Sequence, residues 1–196
     1  VGYCNGTLHK ALPESGEIIE KLKTLGILNK NGGEFFAGRI TVPIFNAEGN
    51  ITSIYARAIH SCESKDRHRY LPGPRGAVWN SAGARAGSIG AKTNQTLFVT
   101  EAILDGMALW QAGFRNVISL YGTQGWTPDH DALFRDHSIR EVCLCLDNDE
   151  RGRQAAERLK EKLSKAVKAV HVIAWPEAVK DAAEFFVSRG AKDFET

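Results

Sequence analysis

The chain has 196 residues, which is long enough for one substantial domain or two small ones. Its hydrophobic content of 43% and charged content of 24% are those of an ordinary globular protein, and no apolar run approaches the roughly 18 residues of a membrane span. It starts at Val1 with no secretory leader, so we expect a segment of a longer protein. The four cysteines form neither a disulfide framework nor a Cys-x-x-Cys pair, so we expect the cytoplasm and no zinc.

The net charge of +2 is unevenly distributed along the chain. Residues 1–95 contain twelve Lys or Arg against seven Asp or Glu, whereas residues 96–196 contain thirteen against sixteen. Basic residues concentrate between positions 57 and 85. A polyanion such as nucleic acid or a nucleotide would suit this segment, although a basic surface loop in contact with solvent explains the charge equally well.

The first predicted elements form a small α+β unit. Apolar residues at helical spacing predict a helix over 14–28. Two β-rich runs, 38–45 and 51–59, flank Asn-Ala-Glu-Gly-Asn and predict a hairpin. Two prolines and two glycines predict irregular structure over 69–80, and the Gly-rich stretch 81–95 predicts a linker.

The pattern after the linker alternates between strand and helix. We predict strands at 96–100, 116–122, 141–146 and 169–175. We predict helices at 102–113, 127–137, 150–168 and 181–190. This alternation predicts an α/β domain with a four-stranded parallel sheet and flanking helices, preceded by the smaller α+β subdomain with its hairpin. We therefore expect two domains, 1–90 and 96–196.

Carboxylates follow three of the four predicted strands. Glu101 follows the first strand, Asp147 and Asp149 follow the third, and Asp181 comes after the fourth. In open parallel sheets, ligands bind where the carboxyl ends of the strands meet the next loops. Clustered carboxylates repel one another unless cations neutralise them, and hard oxygen ligands without His or Cys suit Mg²⁺ or Mn²⁺.

Most of these carboxylates also have a structural interpretation. Asp149 could cap the helix that follows it, and Asp181 with Glu184 forms the pattern of a capping box. Asp105 lies one turn after Glu101 and could be an exposed helix residue. It is the convergence of the set that favours a cation site.

Cys143 and Cys145 are better explained as core residues than as metal ligands or a redox pair. They alternate with Val142, Leu144 and Leu146 in one apolar run, which is typical of a strand that is covered on both faces. A free cysteine in such a strand behaves as a small hydrophobic residue.

Two motifs together resemble the Toprim domain, which is shared by DnaG-type primases, topoisomerases and some nucleases. They are Thr-Glu-Ala-Ile-Leu-Asp at 100–105 and Leu-Asp-Asn-Asp-Glu-Arg-Gly at 146–152. The resemblance implies catalytic roles for Glu101, Asp147 and Asp149, and two or more divalent ions, Mg²⁺ or Mn²⁺, held by these residues with Asp105 and Asp181. It also implies that Gly122 and Thr123 form the turn that contacts nucleotide or nucleic acid.

The upstream sequence resembles the basic subdomain that precedes the Toprim domain in bacterial and phage primases. The similar segments are the hairpin over 38–59 and Arg-Tyr-Leu-Pro-Gly-Pro at 69–74. This resemblance implies that Arg57, Arg69 and Arg75 bind triphosphate or template, and that Tyr70 either stacks on a base or packs internally.

The implied function is template-directed synthesis of short RNA primers by metal-dependent nucleotidyl transfer during DNA replication. The implied partners are single-stranded DNA, nucleoside triphosphates and, through further domains of a primosome, a replicative helicase; no membrane partner is expected. The alternatives are a metal-dependent nuclease, a topoisomerase-like enzyme and a Toprim module that binds nucleic acid without catalysis. The two carboxylate motifs are compatible with each enzyme, and clustered carboxylates argue against a pure binding module.

Overall fold

The computed structural model describes residues 1–61, 63–84, 96–136 and 139–194. They divide into two units, Val1–Ala77 and Val78–Thr196. No helix within the described ranges is both long and apolar enough to cross a membrane.

The first unit is built on a four-stranded antiparallel sheet with the order β1-β2-β3-β4. Its strands are β1 (Gly2–Cys4), β2 (Arg39–Phe45), β3 (Ile51–Ala58) and β4 (His68–Tyr70), and its α-helices are α1 (Glu17–Leu25) and α2 (Ser64–Arg67). The predicted hairpin is confirmed as β2 and β3. Its turn is closed by Asn46, whose side chain accepts a 2.8 Å hydrogen bond from the backbone N–H of Asn50.

Short elements of this unit escape prediction because three or four residues contain too few repeats of a hydrophobic pattern for it to be recognised. These are β1, α2, β4 and a 3₁₀ turn at Leu8–Ala11. Helix α1 lies within the predicted range, ends at Leu25 and is capped by Gly26, whose φ of 78° permits the left-handed cap.

The second unit contains the predicted parallel sheet, with the strand order β6-β5-β7-β8. Its strands are β5 (Thr96–Thr100), β6 (Val117–Ser119), β7 (Glu141–Cys145) and β8 (Ala169–Val172). Its α-helices are α3 (Ile103–Gln111), α4 (Pro128–Asp136), α5 (Glu150–Leu163) and α6 (Ala182–Ser188). The α/β alternation predicted from the sequence is therefore confirmed, with β5 and β7 as the central strands.

The central strands are buried on both faces. Val99 and Leu144 belong to one hydrophobic cluster, and Phe98, Cys143 and Cys145 belong to a second. Cys143 is 7% exposed and Cys145 is 2% exposed, which confirms the core interpretation of this pair. The strands therefore act as rigid supports for the loops that follow them.

Several predicted boundaries are wrong, among them strand β6, which covers Val117–Ser119 instead of 116–122. Residues 81–84 are not a linker but a 3₁₀ turn (Ser81–Ala84) with Gly83 and Ala84 buried, while 85–95 lies outside the described ranges. Helix α5 ends at Leu163, where backbone hydrogen bonds to the Leu163 carbonyl form a turn, instead of continuing to 168. Strand β8 ends at Val172, and Trp175 turns inward so that its Nε1 donates to the Leu146 carbonyl at 2.8 Å.

Candidate metal centre

The parallel strands bring two predicted carboxylates to one edge of the sheet. Strands β5 and β7 are neighbours, with Thr100 paired to Cys145, so Glu101 and Asp147 emerge from adjacent strand ends. The backbone N–H of Asp147 donates to the Glu101 carboxylate. Glu101 also interacts electrostatically with both Asp147 and Asp149, so the predicted convergence of these three carboxylates is found in the structure.

Glu101 has an oxygen that lacks a partner. Its side chain is about half buried, and Oε2 is buried without a hydrogen-bond partner in the described part of the chain. Burial, followed by repulsion from Asp147 and Asp149, raises the pKa of Glu101 to about 7. A buried carboxylate oxygen without a donor is costly, and a cation or a proton would satisfy it.

Asp147 is held close to a cation. Its side chain is 16% exposed, and its Oδ2 lies 3.2 Å from Lys180 Nζ. Burial raises the pKa of Asp147, and the ammonium of Lys180 opposes that rise. The chain can follow this path because residue 152 is glycine, since a Cβ there would lie 2.0 Å from the Asp147 carbonyl oxygen.

Asp149 caps helix α5, as one of its two interpretations predicted. Its Oδ1 accepts a 2.8 Å hydrogen bond from the backbone N–H of Gly152. The residue is exposed, and one capping bond leaves lone pairs on the carboxylate for a second partner. Capping and cation binding by Asp149 are therefore compatible.

Asp105 and Asp181 meet at the first turn of α6. Asp105 is 6% exposed and accepts a 3.2 Å hydrogen bond from the backbone N–H of Ala183, so its interpretation as an exposed helix residue is wrong. Burial, followed by repulsion from Asp181 and Asp147, raises the pKa of Asp105 to about 7. Asp181 caps α6 by accepting from Glu184 N at 2.8 Å, which confirms the predicted capping role.

The loop after β6 lies against the backbone of Glu101. The Gly122 N–H donates to the Glu101 carbonyl at 3.2 Å, and Gly122 has a φ of 96° that favours glycine. His130, which sequence analysis missed, anchors the end of this loop. It is fully buried, its Nδ1 lies 2.8 Å from Thr127 Oγ1, and its Nε2 lies 3.3 Å from the Ser119 carbonyl.

Asn148, the middle residue of the Asp-x-Asp motif, joins the loops after β7 and β8. Its backbone N–H donates to the Lys180 carbonyl at 2.6 Å, and its Nδ2 donates to the Val179 carbonyl at 3.0 Å. Sequence analysis assigned no role to Asn148, because spacing alone does not reveal which loop a side chain will contact. Asn148 places Lys180 and Asp181 beside Asp147.

The carboxylates fit magnesium or manganese better than a structural metal ion that is coordinated by protein side chains alone. In the ranges that the structure describes, no three His, Cys, Asp or Glu side chains form a ready cage for one ion. Mg²⁺ is commonly held by one or two carboxylates together with waters and substrate phosphates, so it needs no such cage. The unpartnered Glu101 Oε2 and the acid-only donor set both fit such an ion.

The predicted basic residues of the first unit do not share one face of its sheet. Arg57 pairs with His68 and Ala56 pairs with Arg69, so Arg57 and Arg69 project from opposite faces. Arg57 Nη1 contacts His68 Nε2 on the exposed side. The role of these arginines in binding stays a prediction, and they cannot act through one face of the strands.

Arg69, Arg75 and Tyr70 make extensive internal contacts. Arg69 donates to the Phe35 carbonyl at 2.8 Å and forms an ion pair with Asp66 at 3.2 Å. The Arg75 guanidinium lies 4.3 Å from the centre of the Tyr70 ring, whose centre is 5.1 Å from that of Tyr55. One face of Tyr70 is therefore covered by Arg75, which favours the packing interpretation of Tyr70.

Comparison with known proteins relates this chain to primases. Residues 98–186 match the family model described as Toprim-like. A DNA primase of Helicobacter pylori is 29% identical over an alignment 174 residues long, and the alignment covers 84% of this chain and 30% of that protein. The chain thus spans about 30% of the length of this curated relative.

Two solved structures share the fold of the chain. A DNA primase domain from Pseudomonas aeruginosa has a TM-score of 0.76 at 24% identity, covering 99% of this chain and 61% of that one. A DnaG primase catalytic domain bound to single-stranded DNA has a TM-score of 0.76 at 21% identity, covering 99% of this chain and 63% of that one.

Proposed function

We propose that this chain is the catalytic core of a primer-synthesising enzyme. Two findings support the proposal: residues 98–186 match the Toprim-like family model, and the chain has the fold of primase catalytic cores. The proposed reaction is template-directed joining of nucleoside triphosphates into short RNA primers on single-stranded DNA. The observation that carries the proposal is the cluster of Glu101, Asp147 and Asp149 at adjacent strand ends. A domain that only binds nucleic acid gains nothing from such mutual repulsion.

The carboxylates would hold two or more divalent ions, which we propose to be Mg²⁺ or Mn²⁺. When bound, such ions neutralise charge on the phosphates and acidify the attacking hydroxyl. Asp147 and Asp149 are the primary ligands in this proposal, and Asp181 and Asp105 support them from the first turn of α6. Most of the catalytic gain then comes from positioning and from charge neutralisation.

Glu101 is suited to accept the proton of the attacking 3′-hydroxyl. A general base works best when its pKa is near the operating pH, and the pKa of Glu101 is raised to about 7. Its Oε2 has no hydrogen-bond partner in the described part of the chain, so in this proposal that oxygen takes either the proton or a cation. The Gly122 N–H holds the Gly122–Thr123 turn against the Glu101 carbonyl, which places Thr123 where it could contact phosphate.

The basic surface of the first unit would contact template or triphosphate. Arg57 is the best candidate, because its guanidinium lies on the exposed side against His68, whereas Arg69 is held by Phe35 and Asp66. The Arg75 guanidinium, which stacks on the ring of Tyr70, would contribute a further positive charge. Arginine suits phosphate oxygens because its planar fork donates two parallel hydrogen bonds.

Further partners follow from the same proposal. The DnaG domain with the same fold is bound to single-stranded DNA, and we extend that partner to this chain. A replicative helicase would act through domains outside these 196 residues, and the cytoplasm is the proposed location.

One incubation separates the proposal from its alternatives. The protein is mixed with Mg²⁺ or Mn²⁺, single-stranded DNA and nucleoside triphosphates, and the products are separated by size. Short new oligoribonucleotides support a primase, and shortened DNA supports a nuclease. Relaxation of a supercoiled plasmid in a parallel incubation supports a topoisomerase-like enzyme. DNA binding with no product in either metal supports the non-catalytic module and contradicts the proposal.

A further inference from the structure

Lys180 lies among the carboxylates at the edge of the sheet. Its Nζ is 3.2 Å from Asp147 Oδ2 and 3.7 Å from Asp181 Oδ2. It also interacts electrostatically with Glu101 and Asp105, so one ammonium group is shared by most of the cluster. The oxygen that it contacts most closely belongs to Asp147, which our proposed function assigns as a primary metal ligand.

The backbone of Lys180 is fixed while its side chain is accessible to solvent. The Lys180 carbonyl accepts from Asn148 N at 2.6 Å, and the Lys180 N–H donates to Glu184 Oε2 at 2.7 Å. The side chain itself is 62% exposed. The fixed backbone therefore keeps the ammonium group close to Asp147. The flexible side chain of four carbons still lets the ammonium move into solvent.

The ion pair between Lys180 and Asp147 is open to water at its lysine end, where the side chain is 62% exposed, although Asp147 is only 16% exposed. Water and salt screen the ammonium and weaken the pair. An ion with two positive charges that several carboxylate oxygens coordinate interacts with them more strongly than one ammonium does. A divalent ion can therefore displace Lys180 from Asp147. Because the ion must break this ion pair, Lys180 lowers the affinity of the site for the ion.

We propose that Lys180 is a tethered competing cation, which occupies the Asp147 carboxylate and yields it when a divalent ion binds. This inference rests on the proposed function, because it takes the carboxylate cluster to be the metal site. In this role Lys180 lowers the affinity of the cluster for the ion and keeps the carboxylates paired until the ion arrives. Asn148 and Glu184 act as positioning residues that fix the point from which the ammonium reaches Asp147.

The test measures Mn²⁺ binding by electron paramagnetic resonance, at low ionic strength and without nucleotide. Lys180→Met should bind Mn²⁺ about threefold to tenfold more tightly than wild type, because a nearby positive charge is removed. Lys180→Arg keeps the charge and should bind within about twofold of wild type. Lys165→Met is the matched control, since Lys165 lies beyond the far end of α5 and pairs with Glu161.

A second measurement follows Lys180 directly. Acetylation of individual lysines, read by mass spectrometry, should increase at Lys180 when Mg²⁺ is added to wild type, because the released ammonium is more accessible. Lys165 should not respond. Unchanged or weaker Mn²⁺ binding in Lys180→Met, or unchanged acetylation of Lys180 with Mg²⁺, would overturn the inference.

The same titrations separate this inference from the proposed function. If Asp147→Asn loses Mn²⁺ binding while Lys180→Met binds like wild type, the metal site stands and only the role of Lys180 is wrong. If wild type and Asp147→Asn bind Mn²⁺ equally, the metal site and the role of Lys180 both fail.

Discussion

Asp105 should make the protein less stable as the pH rises, and Asp105→Asn should remove this part of the pH dependence of stability. The carboxyl is 6% exposed, and its pKa is raised from 3.8 to about 7 by burial, followed by the nearby charges of Asp181 and Asp147. The unfolded chain therefore releases this proton at a lower pH than the folded chain. The stability that the neutral carboxyl contributes is complete below pH 3.8 and is lost as the pH rises to about 7.

The size of the effect follows from the shift in pKa. Each unit corresponds to about 1.4 kcal/mol, so the full loss is about 4 kcal/mol, of which about 2–3 kcal/mol falls between pH 5 and pH 8. The asparagine amide stays neutral across this range, and its oxygen can still accept from Ala183 N. Any cost of its extra N–H donors is the same at each pH, so it cancels from the comparison.

The assay is urea unfolding at pH 5 and pH 8 with a chelator present, for wild type, Asp105→Asn and Glu157→Gln. We expect the free energy of unfolding of Asp105→Asn, relative to that of wild type, to rise by about 2–3 kcal/mol from pH 5 to pH 8. Glu157→Gln, which removes an exposed carboxylate of α5, should follow wild type. If the free energy of unfolding changes by the same amount between pH 5 and pH 8 in wild type and Asp105→Asn, the buried Asp105 carboxyl is not held neutral.

Three further predictions concern the loops and the basic surface. Gly152→Ala should destabilise the protein by at least about 2 kcal/mol in urea unfolding, because its Cβ would lie 2.0 Å from the Asp147 carbonyl oxygen, and a loss below about 0.5 kcal/mol would contradict this. Asn148→Ala should weaken Mn²⁺ binding about tenfold or more in calorimetry, because the released loop after β8 takes Asp181 away from the site, a loss that outweighs the removal of Lys180 as a competing cation; unchanged or tighter binding would contradict this. Arg57→Ala should reduce the slope of log affinity against log salt concentration for single-stranded DNA binding by about one, whereas Arg69→Ala should mainly lower the free energy of unfolding by about 1–2 kcal/mol. A salt effect only in Arg69→Ala and a stability loss only in Arg57→Ala would contradict the placement of these arginines on opposite faces of the sheet.

The sequence predicts the second unit well because its signals are local and strong. Strand β5 has the predicted bounds, Thr96–Thr100, and β7 differs by one residue, since short apolar runs between turn residues leave little choice of register. The carboxylate positions follow directly, because parallel neighbours deliver their next residues to one edge. Elements of three or four residues in the first unit carry no such signal.

Contacts between distant loops cannot be read from spacing. The motif alone indicates no role for Asn148. In the structure, its side-chain amide donates to the carbonyls of residues 176 and 179, and its backbone N–H donates to that of residue 180, so it joins two loops. Asp105 looked exposed because it follows Glu101 by one turn, but α6 covers it from 78 residues away in sequence. His130 has no sequence motif around it, and only the packed loop shows that it is an anchor.

Primer synthesis by wild type and Asp147→Asn, compared in Mg²⁺ and in Mn²⁺, tests the central claim most directly. We expect wild type to make short oligoribonucleotides on single-stranded DNA, and Asp147→Asn to fall by at least about a hundredfold while it unfolds at a similar urea concentration. Glu157→Gln, the control that removes an exposed carboxylate, should make primers at the wild-type rate. Primer synthesis by Asp147→Asn at the wild-type rate, or DNA shortened instead of primers made, would contradict a primase metal centre at the ends of β5 and β7.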